Sequence, residues 1–374
     1  MRHAGRKAFH LYSEPRRYLD TRRSRKDSGA VTPEKPTRRP RYSGKNPRAF
    51  HEKYKEQNPE RYAEDVAKVL ASGKTPAGTH RPIMVQEILV ALALKSGETA
   101  VDCTLGYGGH SRELLAAVQP GGRLIALDQD PIELPKTEAR LRALGFPEDS
   151  LVVKRMNYAG LSALLSADKA DAILADLGLS SMQIDDPSRG FTFKTDAPLD
   201  MRMNPQKGLS AAELLARTPA EEIARWLSEF SDEPHAGHFA AAIQSAGPLQ
   251  KTTALAQLIR RTYPRGARRI DEGDIETSVR RVFQAIRIAV NDEFGALDTF
   301  LRHLPNCLKL GGRVAILTFH SGEDRRVKQA FKNGLSDGLY SATNDEVIIA
   351  SPDERRANPR SVSAKLRWAV RAGD

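Results

Sequence analysis

Residues 100–110 read Ala-Val-Asp-Cys-Thr-Leu-Gly-Tyr-Gly-Gly-His. The apolar run Ala100–Cys103 predicts a short buried strand, the glycines of Leu105–His110 predict a tight turn, and Ser111–Val118 is expected to be a helix. Glycine lets the backbone adopt positive φ and approach a ligand closely, and a helix N-terminus offers unpaired N–H groups. A strand, a glycine turn and a helix in this order are therefore typical of a nucleotide-type cofactor site.

The alternation of strands and helices continues along the chain. The predicted buried strands are Gly122–Asp128, Leu151–Lys154, Asp171–Leu177 and Gly311–Phe319, and the predicted helices between and after them are Pro131–Leu144, Leu161–Leu165 and Glu323–Lys332. This alternation predicts an α/β fold with a doubly wound, mostly parallel sheet. Val347–Ala350 and Lys365–Val370 predict two more strands, which are expected to finish the sheet in antiparallel pairing.

Between residues 188 and 287 the pattern changes to helices alone. Two capping boxes, Ser210–Glu213 and Thr218–Glu221, are expected to begin helices there. The chain is therefore predicted to have three parts. They are an α/β domain over 80–187 and 288–374, an all-helical insert over 188–287, and a basic, largely disordered extension over 1–79 with a short helix near 48–72.

The net charge of +11 lies entirely in the N-terminal part of the chain. Residues 1–50 contain 15 Lys or Arg and 4 Asp or Glu, whereas the rest of the chain contains 43 of each. A block of like charge is typical of an arm that binds a polyanion, and a solvated tail without a partner is the alternative. The four acidic residues argue against a mitochondrial or chloroplast transit peptide.

Composition also excludes some classes of protein. The sequence has no run of about 18 apolar residues, so no membrane span and no membrane partner are expected. Cys103 and Cys307 lie in or beside apolar stretches, which predicts buried thiols rather than a disulfide or a metal pair. No metal site is expected, and a reducing, cytosol-like compartment fits this cysteine usage.

The candidate chemistry lies where the predicted strands end. In open α/β sheets, ligands bind at the carboxyl ends of the strands. Those ends carry Gly106, Gly108, Gly109, His110, Asp128, Asp176, His320 and Ser321. The turn lacks the third glycine of the G-x-G-x-x-G pattern found in dinucleotide enzymes. S-adenosylmethionine therefore suits the site better, with Asp128 as the acid that meets its ribose hydroxyls.

Asp176 follows the predicted strand Asp171–Leu177, at the place where amino-group methyltransferases put a polar residue facing the acceptor nitrogen. We expect its carboxylate to orient an acceptor amine and to take up a proton. The alternative is a structural carboxylate that caps the following turn. His320 is a second candidate catalytic residue. For His320 and Ser321 two functions stay open, recognition of the acceptor base and closure of the turn after the strand.

Several segments resemble the RsmH (MraW) family. They are His80–Met84, Asp102–Ser111, Asp176–Ser181, Arg189–Phe193, Pro198–Met203, Phe283–Ile288, Phe319–Ser321 with Glu323–Arg325, Asn358–Ser361 and Ser363–Arg367. The resemblance covers about residues 80–374. It implies a Rossmann-like class I methyltransferase fold and methylation, with S-adenosylmethionine, of the N4 amine of a cytidine near the decoding centre of small-subunit ribosomal RNA.

The resemblance also implies individual roles. The residues implied to contact the cofactor are Gly108, Gly109, His110, Asp128, Tyr158, Asp176 and Gln183. Asp176 would then hold the methionine amine of the cofactor, which competes with its role toward the acceptor. The chain departs from the usual family sequence mainly in or near the insert and at Met182 and Gly322, and the basic extension lies outside the usual family core.

Two basic clusters flank the predicted crevice and favour contact with RNA. They comprise Arg189, Arg202, Arg360, Lys365 and Arg367. The expected partners are small-subunit ribosomal RNA or the assembled small subunit, with a homodimer as a further option, in the bacterial cytoplasm or alternatively in an organelle. Two other functions stay open: methylation of a protein or small molecule, and a non-catalytic assembly factor on the same fold.

Overall fold

The computed structural model describes residues 64, 82–264 and 271–373. The chain divides into two units, Met1–Pro47 and Arg48–Asp374, and all the described residues belong to the second. The predicted basic arm and the helix predicted near 48–72 therefore lie outside the described residues, apart from Glu64. None of the described helices is long and apolar enough to cross a membrane.

The described residues form one eight-stranded sheet. Its strands are β1 (Thr99–Asp102), β2 (Arg123–Asp128), β3 (Leu151–Arg155), β4 (Ala170–Asp176), β5 (Leu308–Thr318), β6 (Tyr340–Thr343), β7 (Ile348–Ile349) and β8 (Lys365–Arg371). The order is β3-β2-β1-β4-β5-β8-β6, with β7 paired to β8. The first five strands in this order run parallel, and β8 pairs antiparallel with β5, β6 and β7. The predicted doubly wound, mostly parallel sheet and its antiparallel finish are confirmed.

Helices cover both faces of this sheet. Those of the α/β domain are α1 (Val85–Leu92), α2 (Gly109–Val118), α3 (Leu134–Arg142), α4 (Leu161–Leu164), α5 (Ser181–Asp185), α11 (Glu293–Cys307), α12 (Ser321–Ser336) and α13 (Pro352–Ala357). One core joins α1, α2 and α3 to one face of the sheet, and a second core joins α4, α11 and α12 to the other. Apolar side chains on both faces explain why the strands are near-continuous apolar runs.

The helical insert has a core of its own. Its helices are α6 (Ala211–Arg217), α7 (Ala220–Ser231), α8 (Ala236–Ala246), α9 (Thr252–Thr262) and α10 (Glu272–Asn291). Their buried faces meet in one apolar cluster that includes Ile223, Phe239 and Val282. Because α10 is continuous to Asn291, the helical lobe ends after the boundary predicted at residue 287. Asn291 ties the lobe together, since its side chain accepts from the Met203 N–H and donates to the Met201 carbonyl.

Several local details differ from the predictions. The capping box Ser210–Glu213 is confirmed, but Thr218 does not cap α7, because its hydroxyl donates to the Leu214 carbonyl of the preceding helix. Helix α2 begins at Gly109, two residues earlier than expected, so His110 lies in its first turn. Helix α11 and strand β6 were not predicted. Cys103 and Cys307 are free and buried, as expected.

Candidate functional site

A cavity of about 440 Å³ opens at the carboxyl edge of the sheet. The strand order reverses between β1 and β4, which is the switch point at which open α/β sheets bind ligands. The lining includes four of the predicted strand ends, with Gly106, Gly109 and His110 after β1, Asp128 and Asp176 as the last residues of β2 and β4, and His320 after β5. Gly108 and Ser321, which were predicted at the same ends, are not part of the lining. The volume lies in the range of about 300–1,000 Å³ that is common for small-molecule sites.

The glycines of the turn are needed mainly because other parts of the protein pack against them. Gly108 is the N-cap of α2 with φ of 82°, a left-handed conformation that suits glycine. A Cβ at Gly108 would lie 2.8 Å from Cγ2 of Thr137, and one at Gly109 would lie 3.1 Å from the ring of Pro82. Gly106, with φ of 48°, has no atom that close, so it leaves the turn open.

Asp128 holds this turn from the end of β2. Its Oδ2 accepts from the Gly106 N–H at 2.8 Å, and its Oδ1 accepts from the Asp130 N–H at 2.9 Å. Burial raises the pKa of Asp128 to about 6, and the two backbone hydrogen bonds oppose that rise. The carboxylate thus braces the glycine turn and also lines the cavity, where its remaining lone pairs can accept from hydroxyl groups.

His110, in the first turn of α2, and Asp176, the last residue of β4, form an ion pair. His110 Nδ1 lies 3.3 Å from Asp176 Oδ2, and Nε2 lies 2.9 Å from the Ile83 carbonyl oxygen. Burial lowers the pKa of His110, but the hydrogen bond and charge of Asp176 outweigh it and raise the pKa to about 9. Since both ring nitrogens face acceptors, the ring satisfies both only as an imidazolium. Asp176 also donates its N–H to Thr104 Oγ1 at 2.7 Å, so its backbone is fixed.

Gln183 reaches the cavity wall from α5, but most of its amide is already used. Its Oε1 accepts from the Ser180 N–H in a capping box, and its Nε2 donates to Asp130 Oδ2 at 2.9 Å. Asp130, which is 1% exposed, also accepts from Arg189 Nη1 at 2.8 Å. Sequence reasoning missed Asp130, because its partners lie more than 50 residues away along the chain.

Tyr158 lies in a short 3₁₀ turn, Tyr158–Gly160, that follows β3. Its ring packs edge-on against Phe300, with centroids 5.3 Å apart, and it also lines the cavity. Burial raises the pKa of its hydroxyl well above the ordinary value. The ring is therefore a neutral apolar wall, as expected of a residue that stacks on a cofactor.

His320 is the N-cap of α12. Its Nδ1 accepts from the Glu323 N–H at 3.4 Å, and its Nε2 lies 3.2 Å from Glu323 Oε1. This geometry favours closure of the turn, one of the two functions left open for His320, although the ring also lines the cavity. Ser321 donates to Asp232 of the helical lobe at 3.0 Å, which joins that turn to the insert.

A buried ionic cluster below His320 was not predicted. Arg287 donates from Nε and Nη2 to both carboxylate oxygens of Glu293, at 2.8 and 2.9 Å. Burial raises the pKa of Glu293. Burial also raises the pKa of Glu323, but the hydrogen bond and charge of His320 outweigh it and hold that pKa below its ordinary value. All four residues line the cavity. Arg287 and Glu323 lie in segments that carry the family resemblance. That resemblance was the one sequence feature that pointed to them as site residues.

The five predicted RNA contacts are not equivalent. Arg189 and Arg367 are each 6% exposed, and their guanidinium groups pair with Asp130 and Asp324 inside the protein. Because both side chains are buried, neither presents a free edge to a phosphate. Their sequence positions did not indicate this burial. The other three lie nearer the surface, with Arg202 paired to Asp200, Lys365 to Asp324 and Arg360 to Asp185. Of the five, Arg360 lines the cavity.

Within the described ranges, 82–264 and 271–373, no group of three or more His, Cys, Asp or Glu side chains is arranged to hold a metal ion. The lining combines carboxylates, the imidazoles of His110 and His320, the guanidinium groups of Arg287 and Arg360, and aromatic rings. This set suits an organic ligand with hydroxyl and ammonium groups and an apolar ring system.

Comparison with known proteins agrees with this geometry. The chain is 48% identical over 340 residues to "Ribosomal RNA small subunit methyltransferase H 1" of Lachnoclostridium phytofermentans, which covers 90% of this chain and 93% of that protein. It is 46% identical over 344 residues to "Ribosomal RNA small subunit methyltransferase H 2" of Alkaliphilus metalliredigens, a match that covers 91% of this chain and 99% of that protein. An rRNA methylase structure from Streptococcus thermophilus covers 79% of this chain and 98% of that one at 13% identity, but its TM-score of 0.37 is too low to support a conclusion.

The family model described as "MraW methylase family" matches residues 77–372, which spans both parts of the α/β domain and the helical lobe. The matches to the two relatives are longer than that span, so they include part of the N-terminal extension. Part of the extension is therefore shared with these relatives, although the family model itself begins at residue 77. On the family match and the identity over nine-tenths of its length, the chain belongs to the MraW methylase family.

Proposed function

We propose that this protein transfers a methyl group from S-adenosylmethionine to the N4 amine of a cytidine in small-subunit ribosomal RNA. The observation that carries the proposal is the His110–Asp176 ion pair beside the glycine turn, in a cavity at the switch point of a methylase-family fold. The names of the relatives, ribosomal RNA small subunit methyltransferases, support the choice of RNA as substrate.

The residues present fit the cofactor. Asp128 lines the cavity with lone pairs available for ribose hydroxyls, and Tyr158 offers an apolar ring for stacking. Asp176 offers an anionic oxygen for an ammonium group. When bound, S-adenosylmethionine supplies an electrophilic methyl group on a positively charged sulfur. The cofactor contacts proposed are Gly108, Gly109, His110, Asp128, Tyr158, Asp176 and Gln183.

The chemistry asked of the protein is mainly positioning. The lone pair of an exocyclic base amine is delocalised into its ring, so the amine reacts well only when it is held in line with the methyl group. The imidazolium of His110 holds one oxygen of Asp176. The other oxygen is then available to accept an N–H, either from the acceptor amine or from the amine of the cofactor. The target base must leave its stack to reach this cavity.

The helical lobe and the basic extension are proposed to bind the RNA. The lobe joins the cavity through Ser321 and Asp232 and through Asn291, which itself lines the cavity. The extension holds all the excess positive charge, and the relatives share part of it. A ribosomal substrate implies a cytoplasmic reaction. A homodimer stays a prediction.

The test is nucleoside mass spectrometry of small-subunit ribosomal RNA from a strain that lacks the gene. We expect N4-methylated cytidine to be lost, to return with the wild-type gene, and not to return with Asp176→Asn. In purified enzyme, Asp176→Asn should lower turnover about 10²- to 10⁴-fold while RNA affinity is unchanged. Asp168→Asn, a change at an exposed carboxylate outside the cavity, is the matched control.

Two results would contradict the proposal. Methyl transfer to ribosomal or other proteins, with the RNA of the deletion strain unchanged, would make this a protein methyltransferase. Normal turnover of Asp176→Asn with unchanged cofactor affinity would remove Asp176 from the mechanism. A loss of cofactor affinity that accounts for the whole defect would assign Asp176 to the cofactor amine.

A further inference from the structure

Arg360 is one of the residues that line the cavity. It belongs to a 3₁₀ segment, Pro359–Ser363, that leads directly into β8. Because β8 runs antiparallel to β5, its first residue, Lys365, pairs with Thr318 at the end of β5. The 3₁₀ segment therefore reaches the same edge of the sheet as Asp176 and His320, and Arg360 lines the cavity there.

The guanidinium of Arg360 is held in place but only partly used. Its Nη2 lies 3.2 and 3.3 Å from the two oxygens of Asp185, at the end of α5. Its backbone N–H donates to Asn358 Oδ1, which caps the 3₁₀ segment. Nη1 is buried and has no hydrogen-bond partner in the structure. A buried donor without an acceptor is unfavourable, so a ligand that brings an acceptor oxygen to Nη1 is favoured.

The buried Nη1 without a hydrogen-bond partner distinguishes Arg360 from the other basic residues near the cavity. Arg189 and Arg367 are buried in internal ion pairs, and Arg202 and Lys365 lie outside the cavity lining. Arg287 lines the cavity but donates twice to Glu293. Among these described basic residues, Arg360 combines a place in the lining with a buried nitrogen that has no partner.

The position of Arg360 also indicates the kind of ligand. Apart from Gln183 on α5, the cofactor contacts proposed above lie at or just after the ends of β1, β2, β3 and β4, whereas Arg360 precedes β8, two strands beyond β4. Neighbouring strands lie about 4.8 Å apart, so β8 is about 10 Å from β4 and about 19 Å from β2. The half of the cavity next to β5 and β8 is therefore left for the acceptor. A guanidinium N–H suits an oxyanion there, and a nucleotide extruded from RNA brings a phosphate with it.

We propose that Arg360 binds the backbone phosphate of the acceptor nucleotide through Nη1, with Asp185 as the residue that orients its guanidinium. This inference rests on the proposed function, since it takes RNA as the acceptor. The carboxylate of the cofactor has the same oxyanion chemistry, and the experiment separates the two sources.

The experiment compares Arg360→Gln with Arg356→Gln in the full chain. Arg356 is the matched control, because it lies one short segment away in α13, is 73% exposed, pairs with Asp353 and does not line the cavity. The substrate is small ribosomal subunits from a strain that lacks the gene. The measurements are kcat, KM for subunits at several salt concentrations, the Kd for S-adenosylmethionine by calorimetry, and the unfolding midpoint.

We expect Arg360→Gln to raise KM for subunits roughly tenfold to a hundredfold, the size typical of removing a charge-assisted hydrogen bond. The slope of log affinity against log salt should fall by about 0.7, the value for one phosphate contact to a single strand. The Kd for S-adenosylmethionine should stay within about twofold, and Arg356→Gln should match the wild type. Arg360→Lys, which keeps the charge, should keep the salt slope and show a smaller rise in KM.

Three results would overturn the inference. A wild-type KM and salt slope for a folded Arg360→Gln would show that Nη1 binds no phosphate. A raised Kd for S-adenosylmethionine with normal RNA affinity would assign Arg360 to the cofactor carboxylate. If Arg360→Gln unfolds, the decision rests on Arg360→Lys. A KM for subunits equal to that of the wild type and of Arg356→Gln, at both low and high salt, would then overturn the inference. Failure of the wild-type enzyme to methylate the subunits would instead defeat the proposed function.

Discussion

The glycine turn permits a quantitative prediction for Gly108→Ala. Gly108 combines two constraints, a left-handed backbone with φ of 82° and a neighbour, Thr137 Cγ2, only 2.8 Å from the place of a Cβ. Thr137 cannot simply turn away, because its hydroxyl donates to the Gly106 carbonyl at 2.7 Å. Alanine at 108 must therefore strain the backbone and displace α3.

The two costs are of similar size. A residue with a Cβ in the left-handed region costs about 1–2 kcal/mol, and overpacking at a buried contact costs about 1–3 kcal/mol. Gly108→Ala should therefore lower the free energy of unfolding by about 2–5 kcal/mol, a large part of the roughly 5–15 kcal/mol of a typical domain. Gly145→Ala supplies the control, since Gly145 has φ of 81° but no atom within 4 Å of a Cβ.

The assay is urea unfolding of the wild type, both single variants and the double variant Gly108→Ala/Thr137→Ser, with cofactor affinity from calorimetry. Gly108→Ala should lose about 1–3 kcal/mol more than Gly145→Ala, which carries the backbone strain alone. Thr137→Ser removes Cγ2 but keeps the hydroxyl, so the double variant should recover that difference. Equal losses for the two glycine variants, or no recovery in the double variant, would refute the packing argument for this turn.

Two further predictions concern charge. The pKa of His110 is about 9 in the folded chain against about 6.5 in an unfolded one, so its ion pair with Asp176 stabilises the fold fully below about pH 6.5 and is lost as pH rises through 9. The difference in unfolding free energy between the wild type and His110→Gln should therefore shrink between pH 6 and pH 9.5 in urea titrations, and a constant difference would contradict the imidazolium. Deletion of residues 1–47 should weaken binding to small subunits, and it should lower the salt slope by about 0.7 for each phosphate that the extension neutralises, while cofactor affinity is unchanged. Equal salt slopes with and without these residues would show that the basic extension does not touch the RNA.

The family resemblance and the strand pattern were enough to predict the α/β fold and most of the cavity lining. Strand ends are local features: an apolar run stops, and a glycine or an acid follows. Because parallel strands present their carboxyl ends at one edge, Gly109, Asp128 and Asp176 had to converge there once the sheet was parallel. That inference needs no knowledge of side-chain contacts, and the structure confirms the convergence.

Some errors have local causes. Thr218 has the sequence signature of an N-cap, but its hydroxyl is taken by the preceding helix, a competitor that the four-residue motif does not include. Helix α11 was missed because the predicted helical region stopped at residue 287, whereas α10 runs on to Asn291 and α11 follows it after a break at Asp292.

The sequence by itself determined where the backbone turns, which faces are apolar and which polar residues stand at the edge of the sheet. The tertiary structure alone decided which charges meet. Arg189 looks like a surface cation in sequence, but its partner Asp130 lies 59 residues away and buries it. His110 becomes an imidazolium only because folding places its ring between Asp176 and the Ile83 carbonyl. Periodicity and turn chemistry act over a few residues, whereas burial and ion pairing depend on groups that the fold brings together from distant parts of the chain.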